Sequence, residues 1–99
     1  CIVGHTHHQM TFRDDHGKVE ALLAGDGSRL QLDERRSILN PGSVGQPRDG
    51  DPRSCAMTID TETAEVAWQR IEYPIEETQA AIRELPLPGR LAHRLGLGV

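Results

Sequence analysis

Two imidazoles stand two residues apart in Gly4-His5-Thr6-His7, directly after the short apolar run Cys1-Ile2-Val3. That is a metal-ligand spacing: in an extended segment residues i and i+2 project to the same side, so His5 and His7 can converge on one metal ion or on two adjacent ones. The competing reading is a pair of exposed or merely structural histidines. Gly4 favours the first, because a glycine lets the backbone turn or approach closely where a buried strand ends. In the same extended geometry His8 points the other way and reads as pocket wall or as solvated. His16, in the turn-like Asp14-Asp15-His16-Gly17, and His93, in a helical stretch, are accounted for by surface or packing roles.

A site of this kind needs a scaffold, and the composition bounds it. Ninety-nine residues make one small domain or a piece of a larger one. Phe12, Trp68 and Tyr73 are the only aromatic residues, so the core must rely on Leu, Ile, Val and Ala. The chain starts at Cys1 inside a strand-like run, which leads us to expect the later part of a longer chain. Eleven Lys and Arg against 15 Asp and Glu give a net charge of -4, which disfavours a broad nucleic-acid surface. Small anionic substrates stay open, since a metal brings its own positive charge. Cys1 and Cys55 are too few for a disulfide framework, which fits a reducing cytoplasm, and no run approaches the roughly 20 apolar residues of a membrane span.

The elements that must hold the histidines follow from alternation and turn chemistry. Gln9 to Arg13 reads as a strand, Asp14 to Gly17 as a hairpin turn, and Lys18 to Ala24 as the returning strand. Gly25 to Ser28 turns again into a half-buried strand over Arg29 to Leu32, a second hairpin, and Asp33 to Arg36 leads into Ser37-Ile38-Leu39. Asn40 to Arg53 holds three prolines and three glycines, too many for a helix or an interior strand, and reads as a structured loop. Ser54 to Asp60 and Glu65 to Tyr73 form a hairpin about Asp60 to Thr63, with Ala56 and Trp68 as core contacts. Ile75, Thr78, Ile82 and Leu85 are spaced for one helix face after Pro74, and Arg90 to Leu95 suits a shorter helix.

Taken together, Gly4-His5-Thr6-His7 and Asn40-Pro41-Gly42-Ser43-Val44-Gly45-Gln46-Pro47-Arg48 resemble the C-terminal part of calcineurin-like metallophosphoesterases, in the small bacterial phosphodiesterase-like or diadenosine-tetraphosphatase-like branch. The resemblance runs through Tyr73 to Arg94-Leu95. It implies an α/β fold: the C-terminal half of a four-layer αββα sandwich, mainly antiparallel strands followed by one or two helices. Residues 1–99 would then be the C-terminal part of a single domain whose N-terminal half, with the Asp-x-His, Gly-Asp and Gly-Asn-His-Asp segments and a further His, lies outside this chain. Two departures stand out. The stretch from Lys18 to Arg36 exceeds what compact members carry, and Tyr73-Pro74 replaces the usual Tyr-Asp at the helix start.

The resemblance implies hydrolysis of phosphate monoesters or diesters by a hydroxide activated between two divalent metals, with manganese expected and iron, nickel or zinc as alternatives. His5 and His7 are the implied ligands, one to each metal, and no catalytic acid or base is assigned within this chain. Arg48 and Arg53 are candidate phosphate contacts because guanidinium grips oxygens in a bidentate way, solvation being the alternative for each. Asn40 is a further candidate at the substrate side, its alternative being to brace the loop through its amide. The expected partner is a small-molecule phosphate ester, with no membrane and with room for a homo-oligomer. The 99 residues alone are expected to be inactive and to expose an apolar face. A protein-interaction scaffold on the same fold is the alternative function, while zinc storage would demand a denser His/Cys set.

Overall fold

The computed structural model describes residues 1–99. Strand β1 (Gln9–Asp15) runs into β2 (Lys18–Leu23) through the two-residue loop His16-Gly17. Both loop residues have positive φ, 51° and 89°, the requirement of the hairpin turn whose twist matches the strands it joins. The Asp14 carboxylate accepts the Gly17 N–H at 2.8 Å and closes the turn. On its other side β1 pairs antiparallel with β4 (Ser37–Pro41), giving a three-stranded sheet ordered β2-β1-β4. A second sheet, ordered β3-β6-β5, joins β3 (Arg29–Gln31), β6 (Glu65–Ile71) and β5 (Ser54–Asp60), all antiparallel.

The expected hairpin between β2 and β3 does not form, because these strands belong to different sheets. The turn that separates them explains why. Gly27 N–H donates to the Trp68 carbonyl and Trp68 N–H to the Ser28 carbonyl, at 3.0 and 2.9 Å, so the chain leaving the turn is laid along β6. The β5–β6 hairpin forms as expected, with Asp60 paired to Glu65 and Met57 opposite Trp68. Residues directly opposite share a face, so Met57 rather than Ala56 packs beside the indole. The core between the sheets is Leu39 from the first with Val66 and Trp68 from the second, flanked by Leu30, Met57 and Ile59. The two sheets of this chain thus pack on each other through these residues.

Strand β1 turns polar residues inward: Gln9, Thr11 and Arg13 are buried. The Gln9 amide donates to the carbonyls of Ala56 and Gln69 across the sandwich, and Arg13 pairs with Asp33 at 2.8 Å. The opposite face of that sheet carries Met10, Phe12, Val19, Ala21, Leu23 and Ile38 by register. Leu23 is 80% and Val19 65% exposed. This uncovered apolar face accounts for an accessible surface of 6523 Å², against about 5,600 Å² for a compact monomer of this mass. It also fits a radius of gyration of 15.8 Å where about 13 Å is usual.

Helix α1 (Ile75–Arg83) follows Pro74 with Glu76 and Glu77 in its first turn, and α2 (Arg90–His93) continues as a 3-10 turn over Arg94–Gly96. The Gln79 amide donates to the Ala92 carbonyl and ties the two helices, while Ala92 and Leu95 supply the buried contacts. No residue of α1 is fully buried. No helix is long and apolar enough to cross a membrane.

Candidate metal centre

The segment that carries the histidines is not extended. Cys1 to Val3 lies alongside β4, with Leu39 N–H donating to Cys1 and Val3 N–H to Leu39, and Ile2 forms a single parallel bridge to Leu39. Its side chains are exposed, Ile2 at 59%, so the expected buried strand is a short exposed one. Beyond it Thr6 N–H bonds the Gly4 carbonyl at 3.0 Å. That closes a three-residue turn with His5 at its centre, at φ 75°, and His7 follows at φ 62°. The same-side rule for an extended i, i+2 pair therefore does not apply, and the directions of the two rings are set by turn geometry. Non-glycine residues held in this region carry strain of about 1–3 kcal/mol and persist only when their surroundings over-determine them.

Asn40 supplies that determination. Its amide nitrogen donates to the Gly4 carbonyl at 3.1 Å and to the Thr6 hydroxyl at 2.9 Å, and its amide oxygen accepts the Gly42 N–H at 2.9 Å. The main-chain carbonyl of Asn40 accepts the Trp68 indole N–H at 3.0 Å. With its side chain engaged at both ends and 2% exposed, Asn40 braces the histidine turn.

His7 is held from the following loop. Its Nδ1 lies 2.5 Å from the Gln46 carbonyl, and Arg48 N–H donates to the His7 carbonyl at 3.3 Å. A carbonyl can only accept, so the ring proton sits on Nδ1 and the lone pair on Nε2, the arrangement a metal-ligating histidine takes when a backbone carbonyl orients it. His5 is exposed and its ring makes no hydrogen bond within the chain. His8 turns back so that its Nδ1 meets the Thr6 carbonyl at 2.7 Å. His16 and His93 are exposed at the hairpin and on α2. The donor set fits a divalent metal in chemistry, two imidazoles with one already oriented. No third His, Cys, Asp or Glu of this chain completes a cluster with them.

The two arginines part company. Arg48 is exposed and its side chain bonds only the Gln46 side-chain oxygen, at 3.1 Å, which leaves most of its donors open. Arg53 is consumed: Nε and Nη2 grip the Asp51 carboxylate at 3.1 and 2.7 Å, and Nη1 reaches Asp26 at 2.9 Å. Arg70, with a side chain only 4% exposed, completes this clamp by pairing with Asp49 and donating to the carbonyls of Asp51 and Arg53. Arg53 thereby fastens the far end of the 40–53 loop. The composition of the loop marks Ser43 as able to bond nearby backbone, and its hydroxyl accepts the Gln46 N–H at 3.0 Å; sequence reading gave Gln46 itself no role, the Ser-x-x-Gln spacing being the available signal.

The clamp makes a pH prediction. The Arg70 N–H and then the Arg53 guanidinium hold the Asp26 carboxyl below its ordinary 3.8, and the Arg53 side chain does the same for Asp51. A depressed folded-state value contributes stability that is complete above the unfolded value and is lost as pH falls through the folded one. The thermal midpoint is expected to hold from about pH 7 to about pH 5, then fall below about pH 4, and Arg53→Met should flatten that acid-side fall. An unchanged acid limb in the variant, followed by circular dichroism, would count against the clamp.

No family model matches the chain. A solved metallophosphoesterase from Sphaerobacter thermophilus superposes at a TM-score of 0.94 with 44% identity, covering 100% of this chain and 42% of that one. An uncharacterized protein of Methanocaldococcus jannaschii is 35% identical over 98 residues, 98% of this chain and 38% of the relative. The chain thus spans less than half the length of each. Over its full length, then, this chain matches in sequence and fold a segment of a metallophosphoesterase, less than half of that protein.

Proposed function

We propose that the whole protein hydrolyses phosphate monoesters or diesters at a site with two divalent metals, manganese foremost, to which this chain contributes His5 and His7. The observation that carries the reading is His7, whose Nδ1 is engaged by the Gln46 carbonyl at 2.5 Å so that Nε2 is presented as a donor. Metals bound between such ligands lower the pKa of a shared water and neutralise charge on the ester. This chain's own part is to hold and orient: Asn40 braces the turn that carries His5, the 46–48 main chain fixes His7, and Arg48 offers guanidinium donors to a phosphate oxygen. In this reading the remaining ligands come from outside residues 1–99, consistent with a chain that spans 42% of the solved metallophosphoesterase it matches. Two unpaired cysteines, Cys55 buried, suit a reducing cytoplasm.

The test uses the complete protein. Metal analysis is expected to return two manganese ions per chain after reconstitution, with turnover of a chromogenic phosphodiester that disappears on chelation. No turnover with any of manganese, iron, nickel or zinc, together with partner binding that survives loss of both His5 and His7, would replace the enzyme by a scaffold.

A further inference from the structure

We propose that Ser43 is a positioning residue for His7, acting through the main-chain carbonyl of Gln46. The inference deepens the metal-site reading and rests on it for the role of His7. Ser43 is tied into the second sheet by its own carbonyl, which accepts the Cys55 N–H of β5 at 3.0 Å. From that fixed point its hydroxyl accepts the Gln46 N–H at 3.0 Å. No main-chain hydrogen bond spans residues 43 to 46, so the hydroxyl alone closes this turn. One peptide further on, the Gln46 carbonyl receives His7 Nδ1 at 2.5 Å, and Arg48 N–H returns to the His7 carbonyl at 3.3 Å.

These contacts form an unbroken path from a sheet strand, through one hydroxyl, to the nitrogen that decides the tautomer of His7. A carbonyl that is free to swing would leave the proton of a neutral imidazole free to sit on either nitrogen. A carbonyl held at Nδ1 keeps the Nε2 lone pair available and aimed. Ser43 touches neither a metal nor a substrate, which separates it from the ligands. Its neighbours in the loop have other duties, Asn40 bracing Gly4 and Thr6 and Gly42 making room for Cys55.

The experiment uses the complete protein with nitrogen-15-labelled histidine, in wild-type, Ser43→Ala, Ser43→Thr and His7→Ala forms. Ring nitrogen shifts of metal-free protein report the His7 tautomer, and competition with a chelating dye reports manganese affinity. Wild type and Ser43→Thr are expected to show a single Nδ1–H tautomer. Ser43→Ala is expected to show a mixture and to bind manganese about 10- to 100-fold more weakly, the range for losing an outer-shell orienting group. Should Ser43→Ala not fold, Ser43→Cys keeps the size with a much weaker acceptor and carries the same comparison. An unaltered tautomer and affinity in Ser43→Ala, while His7→Ala loses affinity, overturns the role of Ser43 and leaves the site standing. Unaltered affinity in His7→Ala overturns the ligand reading itself.

Discussion

In the complete protein His7→Ala is expected to lower manganese-supported phosphodiester hydrolysis by more than about 100-fold, since losing a direct ligand should exceed the 10- to 100-fold cost of losing an outer-shell partner. The structure singles out His7 because its ring is already oriented through Nδ1 and its backbone is held by Arg48 N–H. Part of the loss should be recovered at high manganese, because a weakened site refills by mass action, whereas a residue acting after metal binding would show no such recovery. Steady-state rates over a manganese titration make the distinction. His5, exposed and without a hydrogen bond from its ring, presents a less prepared donor, so His5→Ala is expected to cost less than His7→Ala. Full activity in His7→Ala at limiting manganese would refute the assignment.

Gly42→Ala is expected to destabilise the fold by about 3 kcal/mol, combining overpacking with a strained backbone. A Cβ there would lie 2.6 Å from Cys55 Sγ, 2.8 Å from Cys55 Cβ and 2.8 Å from Gln9 Cγ, on a residue whose φ is 87°. None of these neighbours can withdraw easily: Cys55 is buried in β5, and Gln9 spans the sandwich to Ala56 and Gln69. Gly45, in the same loop, has nothing within 4 Å of a built Cβ, so Gly45→Ala should stay within about 0.5 kcal/mol. Denaturant midpoints of the two variants measure the contrast, and equal midpoints would show that the loop yields. Because Gly42 lies between Asn40 and Ser43, the variant should also loosen His5 and His7, coupling stability to the site.

Particular residues show where sequence reading reached and where it stopped. His16-Gly17 and Asp60 to Thr63 were legible as hairpin turns because their conformations are set by their own residues and immediate neighbours. Arg29 to Gln31 was legible as a strand, but its partner was not: alternation marks a half-buried strand without saying which edge it joins, and the bonds between Gly27, Ser28 and Trp68 made that choice. Ala56 and Trp68 were both read as core contacts, but register sets Met57 opposite Trp68 and Ala56 opposite Gln69, and a difference of one residue exchanges faces. Arg48 and Arg53 read alike in the chain, and only the surrounding carboxylates Asp26 and Asp51 turned one of them into a clamp.

The sequence by itself determined the residue types of the site, the presence of a Gly- and Pro-rich loop able to face it, and the alternation of strands that must carry both. Those properties are local, held in side-chain chemistry and in turn preferences over a few residues. What only the tertiary structure decided was orientation. The positive φ of His5 and His7 is held by contacts from afar: the grip of Asn40 on Gly4 and Thr6 and the Gln46 carbonyl at His7 Nδ1 each join segments more than thirty residues apart in the chain. A hydrogen bond specifies direction only once both partners are in place, and no spacing along the chain encodes that placement. Thus the His-x-His spacing marked two candidate ligands, while the loop that packs against His7 determined which of its ring nitrogens is engaged and which is left open.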